Sequence, residues 1–361
     1  MKAILRSILS LLPVLFLASN AKALTCYALT DNNHLIVMDS TSPGTAVDKG
    51  LISGLGSYNL VGMDIRTTTQ TTGAANPGVG SVWALGTDGT FFQIFIINNP
   101  TGSPSATAIG APLSGINGSG SGPNGWFFGF NPATDRIQMM NFTHNYQLNP
   151  NTITYVTQSN LQGFPNSNGS AFTTASFGGT STIYFLDQAG DALYTSSDIS
   201  TGNYSLVGAT GISFSLPAGL DTFEGTTLMA TVDVTSKLFS VNRSTGVATL
   251  IGTIAGNPTI RALTIVPTSF PPVLSATVKI TGKKRVVTTK AALVVKGTAA
   301  SQAGIKLVQY KVGKAGFKNA VGTTSWRARV RLKPGLNLVS VQATGGNDAK
   351  SAIAKVRIIR Q

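Results

Sequence analysis

The 361-residue chain has little of what most enzymes are built from: one cysteine (Cys26), two histidines (His34 and His144) and one glutamate (Glu224). A lone cysteine excludes an internal disulfide, so buried area must hold the fold together. The two histidines offer neither a zinc-ligand spacing nor a base beside a recognisable nucleophile. There is no G-x-S-x-G elbow and no Walker sequence. Gly120-Ser121-Gly122-Pro123-Asn124-Gly125 satisfies G-x-G-x-x-G in form only. A proline sits inside it and no βαβ pattern surrounds it, so it reads as a loop and not as a dinucleotide site.

Helix formers are scarce as well. Forty glycines, many Ser and Thr, and no window with apolar residues at helical spacing point to an all-β chain. Long apolar runs are missing except near the start. There Lys2 and Arg6 precede the mainly apolar Ile8–Ala18, and Ala21-Lys22-Ala23 forms an A-x-A cleavage site. Eleven residues are too few to span a bilayer, which needs about 20. Residues 1–23 are therefore expected to be a cleaved secretory signal. The mature chain, with no transmembrane segment, would then be exported: extracellular, periplasmic or attached to the cell surface. Leu24 and Thr25 ahead of Cys26 are the wrong neighbours for a lipid-modified cysteine.

Acidic charge is nearly absent from the C-terminal quarter. From Leu24 to Phe270 there are 6 Lys/Arg against 12 Asp/Glu, a net of −6. From Pro271 to Gln361 there are 18 Lys/Arg against the single Asp348, a net of +17. So sharp a change marks a domain boundary and two different surfaces.

The acidic part repeats itself. A strand, a polar turn, a second strand, an Asn/Asp-x-x-Thr-Gly-type turn and a third strand recur, with copies marked by Tyr27, Trp83, Ile137, Tyr184 and Met229. The intervals are 56, 54, 47 and 45 residues, the length of one four-stranded propeller blade with loops of varied size. The expectation is a β-propeller of about five blades, or six if one copy is distorted, over residues 24–267. Residues 268–272 form a linker whose Pro271 and Pro272 keep it extended. Residues 273–361 carry seven or eight short strand-like runs, the pattern of an immunoglobulin-like β-sandwich. Within WRARVRL, Trp326, Ala328, Val330 and Leu332 alternate with Arg327, Arg329 and Arg331, so one face packs and the other presents three guanidinium groups.

Two stretches carry a family resemblance. Phe128-Gly129-Phe130-Asn131-Pro132-Ala133-Thr134-Asp135-Arg136-Ile137, followed by Leu148-Asn149-Pro150-Asn151-Thr152, resembles the core motif of the bacterial domain of unknown function 4394 family. Tyr27-Ala28-Leu29, Leu60–Arg66 and Arg261-Ala262-Leu263 fit the same pattern. The chain departs from it at Gly129, where the family is usually acidic, at Gln138, where a second arginine is common, and in the loop Asn141–Tyr146. The resemblance implies an exported, propeller-like fold over about residues 24–267 and no known chemistry. The basic region is similar to bacterial immunoglobulin-like modules, without the paired cysteines of antibody domains.

Candidate site residues fall into two groups. Asp64, Asp135 and Asp221 end comparable strands of different copies and would converge on a propeller channel, where carboxylates could hold Ca²⁺. No other cofactor is expected. Asp135 and Arg136 follow an Asn-Pro turn, with Arg136 either paired to a neighbouring carboxylate or placed at a pocket mouth for an anionic group. The second group is Lys283, Lys284, Arg285, Lys311, Lys314, Lys318, Arg327, Arg329 and Arg331, whose field would attract an anionic envelope or extracellular polymer. Without aromatic stacking residues among them, sequence-specific nucleic-acid binding is not expected. The leading expectation is a non-catalytic binding or structural protein, with the propeller as recognition platform and the basic sandwich as electrostatic tether. The alternatives are a metal-assisted hydrolase or lyase in the channel, and an assembly component of a surface layer.

Overall fold

The computed structural model describes residues 23–68, 78–116, 125–141, 143–161, 167–173, 178–213, 218–222, 227–232, 235–268, 276–301, 305–345 and 350–361. All but the last residue of the expected signal segment 1–23, most of the G-x-G-x-x-G loop and most of the linker lie outside the described residues. The chain is all-β. Its described helical elements are two short 3₁₀ turns, Pro43–Thr45 and Ile199–Thr201. Among the described residues, no helix is long and apolar enough to cross a membrane.

Among the described residues, twenty strands make five four-stranded antiparallel sheets. The first sheet begins with β1 (Thr25–Thr30), β2 (His34–Asp39) and β3 (Val47–Leu51). The second holds β4 (Asn59–Ile65), β5 (Val82–Thr87), β6 (Phe92–Asn98) and β7 (Ser105–Leu113). The third holds β8 (Phe127–Asn131), β9 (Arg136–Met140), β10 (Asn145–Asn149) and β11 (Thr154–Thr157). The fourth holds β12 (Ser167–Phe172), β13 (Ile183–Asp187), β14 (Ala192–Ser196) and β15 (Ser205–Ala209). The fifth holds β16 (Leu220–Asp221), β17 (Thr227–Val232), β18 (Lys237–Asn242) and β19 (Ala248–Thr253). Then β20 (Ile260–Ile265) returns to pair with β1, completing the first sheet as β20-β1-β2-β3. Tyr27, Trp83, Ile137, Tyr184 and Met229, the repeat markers read from sequence, all lie on the second strand of their sheets.

The inner strands are buried on both faces while the outer strands β3, β11, β15 and β19 are largely open, which explains why β5 is apolar along its length and not alternating. Trp83 and Leu85 enter a core shared with Phe128, Phe130 and Ile137 of the third sheet. Val82 and Ala84 point the other way, into a core shared with Tyr27, Leu29 and Leu35 of the first. The same arrangement continues around the chain. Phe127 and Met140 meet Phe172 and Phe185, and Leu186 and Leu193 meet Phe239 and Val241. Leu238 and Ile254 of the last repeat meet Cys26, Ile36 and Met38 of the first. Each sheet therefore packs on the next, and the fifth packs on the first. The strands β4, β8, β12, β16 and β20 touch in that order, and β20 also touches β4.

The basic region forms two further sheets. β21 (Thr277–Ile280), β23 (Ala292–Ala300) and β26 (Ser325–Arg331) make one of three strands. β22 (Arg285–Thr288), β24 (Ile305–Val312), β25 (Lys318–Asn319), β27 (Gly335–Gly345) and β28 (Ala354–Arg360) make one of five, in the order β22-β28-β27-β24-β25. Both enclose one core: Val295, Trp326, Ala328 and Val330 from one side, Val308, Val339, Val341, Val356 and Ile358 from the other. The alternation read from WRARVRL holds, with Trp326, Ala328, Val330 and Leu332 buried and the three arginines exposed.

Candidate functional site

Polar side chains converge at several places among the described residues, two of them built from residues singled out in the sequence. In one, β4, β16 and β20 bring Asp64, Asp221 and Thr264 together. Thr264 Oγ1 lies 3.0 Å from Asp64 Oδ1 and 3.1 Å from Asp221 Oδ2. Backbone amides fill the remaining directions. Ile65 and Phe130 donate to Asp64, while Thr222 and Ile265 donate to Asp221, at 2.6–2.7 Å. Asp64 thus ties together the second, third and first sheets, and Asp221 ties the fifth to the first.

A threonine hydroxyl has one proton, so it donates to one carboxyl and can only accept from the other. Accepting requires that second carboxyl to be protonated. Burial raises both acids, Asp64 to about 6 and Asp221 well above the ordinary range, the latter also through the charge of Asp64. The arrangement that satisfies all three groups near neutral pH is a neutral Asp221 donating to Thr264, which donates to an ionised Asp64. The adjoining cavity, lined by Asp64, Thr67, Phe130, Phe172, Asp221 and Thr222, measures about 20 Å³, room for one water. Asp64 keeps a partly open face toward it.

Asp135 does not join this pair. It sits in the β8–β9 turn with φ 50° and is fully buried. There it takes two bonds from Arg66, Nε to Oδ1 at 2.8 Å and Nη2 to Oδ2 at 2.6 Å. Asn151 Oδ1 accepts a third bond from Arg66 Nη2, at 2.9 Å. The expected convergence of three carboxylates is thus a convergence of two, because a buried guanidinium holds the third. Among the described residues no group of three or more His, Cys, Asp or Glu is arranged to hold a metal ion. The carboxylate partner expected for Arg136 is likewise taken by Arg66. Arg136 is half-buried and turns back on its own turn, donating from Nη1 to the Asp135 carbonyl at 3.0 Å. In the sequence Arg66 stands out only as the last residue of the Leu60–Arg66 motif. Its partner lies 69 residues away, a separation no local pattern reveals.

The second convergence is a cleft of about 1000 Å³ where the two C-terminal sheets part. Lys311, Lys314 and Lys318 stand on one side, Arg329 and Arg331 on the other, and Lys333 at one end; no acidic residue lines it. Tyr310 reaches across the cleft, its hydroxyl donating to the Arg329 carbonyl at 3.2 Å. The backbone bond Gly313 N–H to Leu338 O, 2.8 Å, fastens the loop after β24 to β27. Lys311 Nζ lies 5.0 Å from the Phe317 ring centroid.

Five of the nine cations singled out from sequence meet here. Arg327 shares the exposed face of β26 but lies opposite Lys296 on β23, outside the cleft lining. Lys283, Lys284 and Arg285 lie at the start of β22, beside Arg357 of β28. Lys333 was missed because Lys333-Pro334-Gly335 reads only as a turn. Both histidines have ordinary surroundings. His34 Nδ1 pairs with Asp48 at 2.8 Å, and His144 stacks with Trp126 and Tyr146.

A family model described as "Domain of unknown function (DUF4394)" matches residues 34–264. No curated protein matches the chain. Among solved structures, fibronectin(III)-like modules of CbhA from Clostridium thermocellum are 26% identical, covering 23% of this chain and 96% of theirs at a TM-score of 0.20. A nidogen/laminin complex matches at 11% identity, 68% and 98% coverage and a TM-score of 0.43. A protein from Lactobacillus plantarum matches at 10% identity, 94% and 98% coverage and a TM-score of 0.33.

Proposed function

We propose, for a chain that belongs to the DUF4394 family, that it is an exported, non-catalytic binding protein which holds an anionic polymer in its C-terminal cleft. The five sheets read as blades of a closed five-bladed propeller, with β20 as the closing strand. The two C-terminal sheets read as an immunoglobulin-like sandwich. In this reading the propeller over 24–267 is the recognition platform and the sandwich over 273–361 is the tether.

The observation that carries the reading is the cleft itself. Six cations line about 1000 Å³ without one acid. The whole region from Pro271 onward holds 18 Lys/Arg and only Asp348 to offset them. Uncompensated charge of one sign lining a concave surface focuses its field on whatever enters. By contrast, the acid cluster of Asp64 and Asp221 faces a space that admits one water.

Titration of the mature chain with soluble polyphosphate at several salt concentrations tests this. If about five cations each neutralise one phosphate, affinity should fall about 10²-fold between 50 and 200 mM salt, by counterion release. Absence of binding at low salt, or affinity indifferent to salt, would overturn the reading.

The alternative, a metal-assisted hydrolase or lyase in the propeller channel, retains from its three carboxylates the Asp64–Asp221 pair. Metal analysis of the purified chain, repeated on the Asp64→Asn and Asp221→Asn variants, tests it. A stoichiometric ion lost on either substitution would support it, and no ion in the wild type would remove it.

A further inference from the structure

We infer that the cleft takes an anionic amphiphile, docking the chain on an anionic lipid surface and not merely on a hydrophilic polymer; this rests on the anion-binding reading above. A site for a hydrophilic polyanion needs only cations and hydrogen-bond donors. Here large apolar side chains also face solvent: Leu336 in the cleft lining, and Phe317 beside it, between the lining residues Gly316 and Lys318. Leu336 is 66% exposed and Phe317 is 37% exposed.

The placement of these two residues is what points to lipid. Phe317 sits in Lys314-Ala315-Gly316-Phe317-Lys318, the loop between β24 and β25. Leu336 follows Lys333-Pro334-Gly335, the turn between β26 and β27. Phe317 therefore adjoins Lys318, Leu336 stands three residues after Lys333 at the start of β27, and the Gly313–Leu338 backbone bond ties the two segments together. At an anionic bilayer the lysine and arginine heads would meet the headgroup charge while the apolar side chains enter the acyl boundary. The lysine stems suit the same surface, since they run along apolar material while their heads stay wet. Neither component binds firmly alone. Stable attachment at an interface takes two signals, such as an apolar anchor with a basic patch.

The test uses the full mature chain and two probes: phosphatidylcholine vesicles containing phosphatidylglycerol, and soluble polyphosphate. The variant is Phe317→Ser with Leu336→Ser, exposed positions at which an unchanged melting curve checks the fold. A second variant, Leu336→Met, keeps the apolar surface. The double serine variant should lose about tenfold or more in vesicle affinity, by the apolar area it withholds. Its polyphosphate affinity should fall far less than its vesicle affinity, since all six cleft cations remain, and Leu336→Met should bind vesicles as the wild type does. Vesicle binding unaffected by the serine substitutions would overturn this inference and leave the anion-binding reading standing. So would a wild type that binds polyphosphate but not vesicles, or that binds pure phosphatidylcholine equally well. A wild type that binds neither probe would sink both.

Discussion

Replacing Asp135 by Asn leaves the side-chain shape almost unchanged and removes one buried charge. Arg66 and Asp135 are both 0% exposed and joined by two charge-assisted bonds, so the guanidinium left behind has no solvent to turn to. Losing one partner of such a pair costs about 3–5 kcal/mol, most of it the unpaid desolvation of the survivor. Asn retains one acceptor oxygen, which places the expected loss at the lower end, about 3 kcal/mol. For a unit of this size that lowers the melting temperature by about 6–12 °C. Asp135→Ala should be worse by about 1 kcal/mol, because φ at this residue is 50°, where Asp and Asn settle readily and alanine does not. Urea unfolding followed by tryptophan fluorescence is a suitable assay, since Arg66 Cζ stands 5.8 Å from the Trp83 ring centroid. A second variant, Arg66→Met with Asp135→Asn, should recover part of the loss by replacing the stranded cation with an apolar side chain. If Asp135→Asn unfolds within about 0.5 kcal/mol of the wild type, the pair does not hold the second and third sheets together as described.

Other outcomes follow from the same geometry. Asp64 and Asp221 bind protons more tightly folded than unfolded, so their contribution to stability is full below about pH 4 and declines as pH rises through about 6. The stability difference between wild type and Asp64→Asn/Asp221→Asn should therefore shift against the wild type from pH 4 to 7, and a difference flat with pH would contradict the shared-proton arrangement. Thr264→Val should cost about 1–3 kcal/mol by removing the hydroxyl between the two acids, measured by urea unfolding; an unchanged midpoint would count against that bridge. Cys26 is fully buried with its thiol pushed up to about 12, so a thiol reagent at pH 8 should label it only after denaturant is added. Gly297→Ala would place a Cβ 1.9 Å from the Lys279 carbonyl and 2.5 Å from the Trp326 ring. It should destabilise the C-terminal sheets by at least about 1–3 kcal/mol, and unfolding curves matching the wild type would contradict this packing.

The repeat was legible because each copy must bury strands on both faces, and that leaves an apolar signature near Tyr27, Trp83, Ile137, Tyr184 and Met229. The first strands of the sheets were harder to see. β16 is only Leu220–Asp221, and β20 pairs with a strand more than 200 residues earlier, which no local window detects. Asp64 and Asp221, both near strand ends, share Thr264 as a partner. Asp135 looked equivalent, but its turn carries it to Arg66. In the C-terminal region, β26 was read correctly face by face because strict alternation leaves one solution. The cleft was not legible as such, since Arg329 and Lys311 belong to different sheets and only the packing of those sheets brings their side chains to one opening.

The central claim is that location, and not charge alone, makes the basic region a binding site. Two mature chains with equal net charge test it most directly: one with Lys311, Lys314, Arg329 and Arg331 changed to Gln, the other with Lys283, Lys284, Arg285 and Arg357 changed to Gln. Both are titrated with polyphosphate across a range of salt concentrations. The cleft variant should lose most of its affinity and about three units of its log–log salt slope, while the other, whose four charges stand outside the cleft lining, keeps most of both. Equal losses in the two variants would show that the region attracts anions through its overall field and that the cleft is not the site.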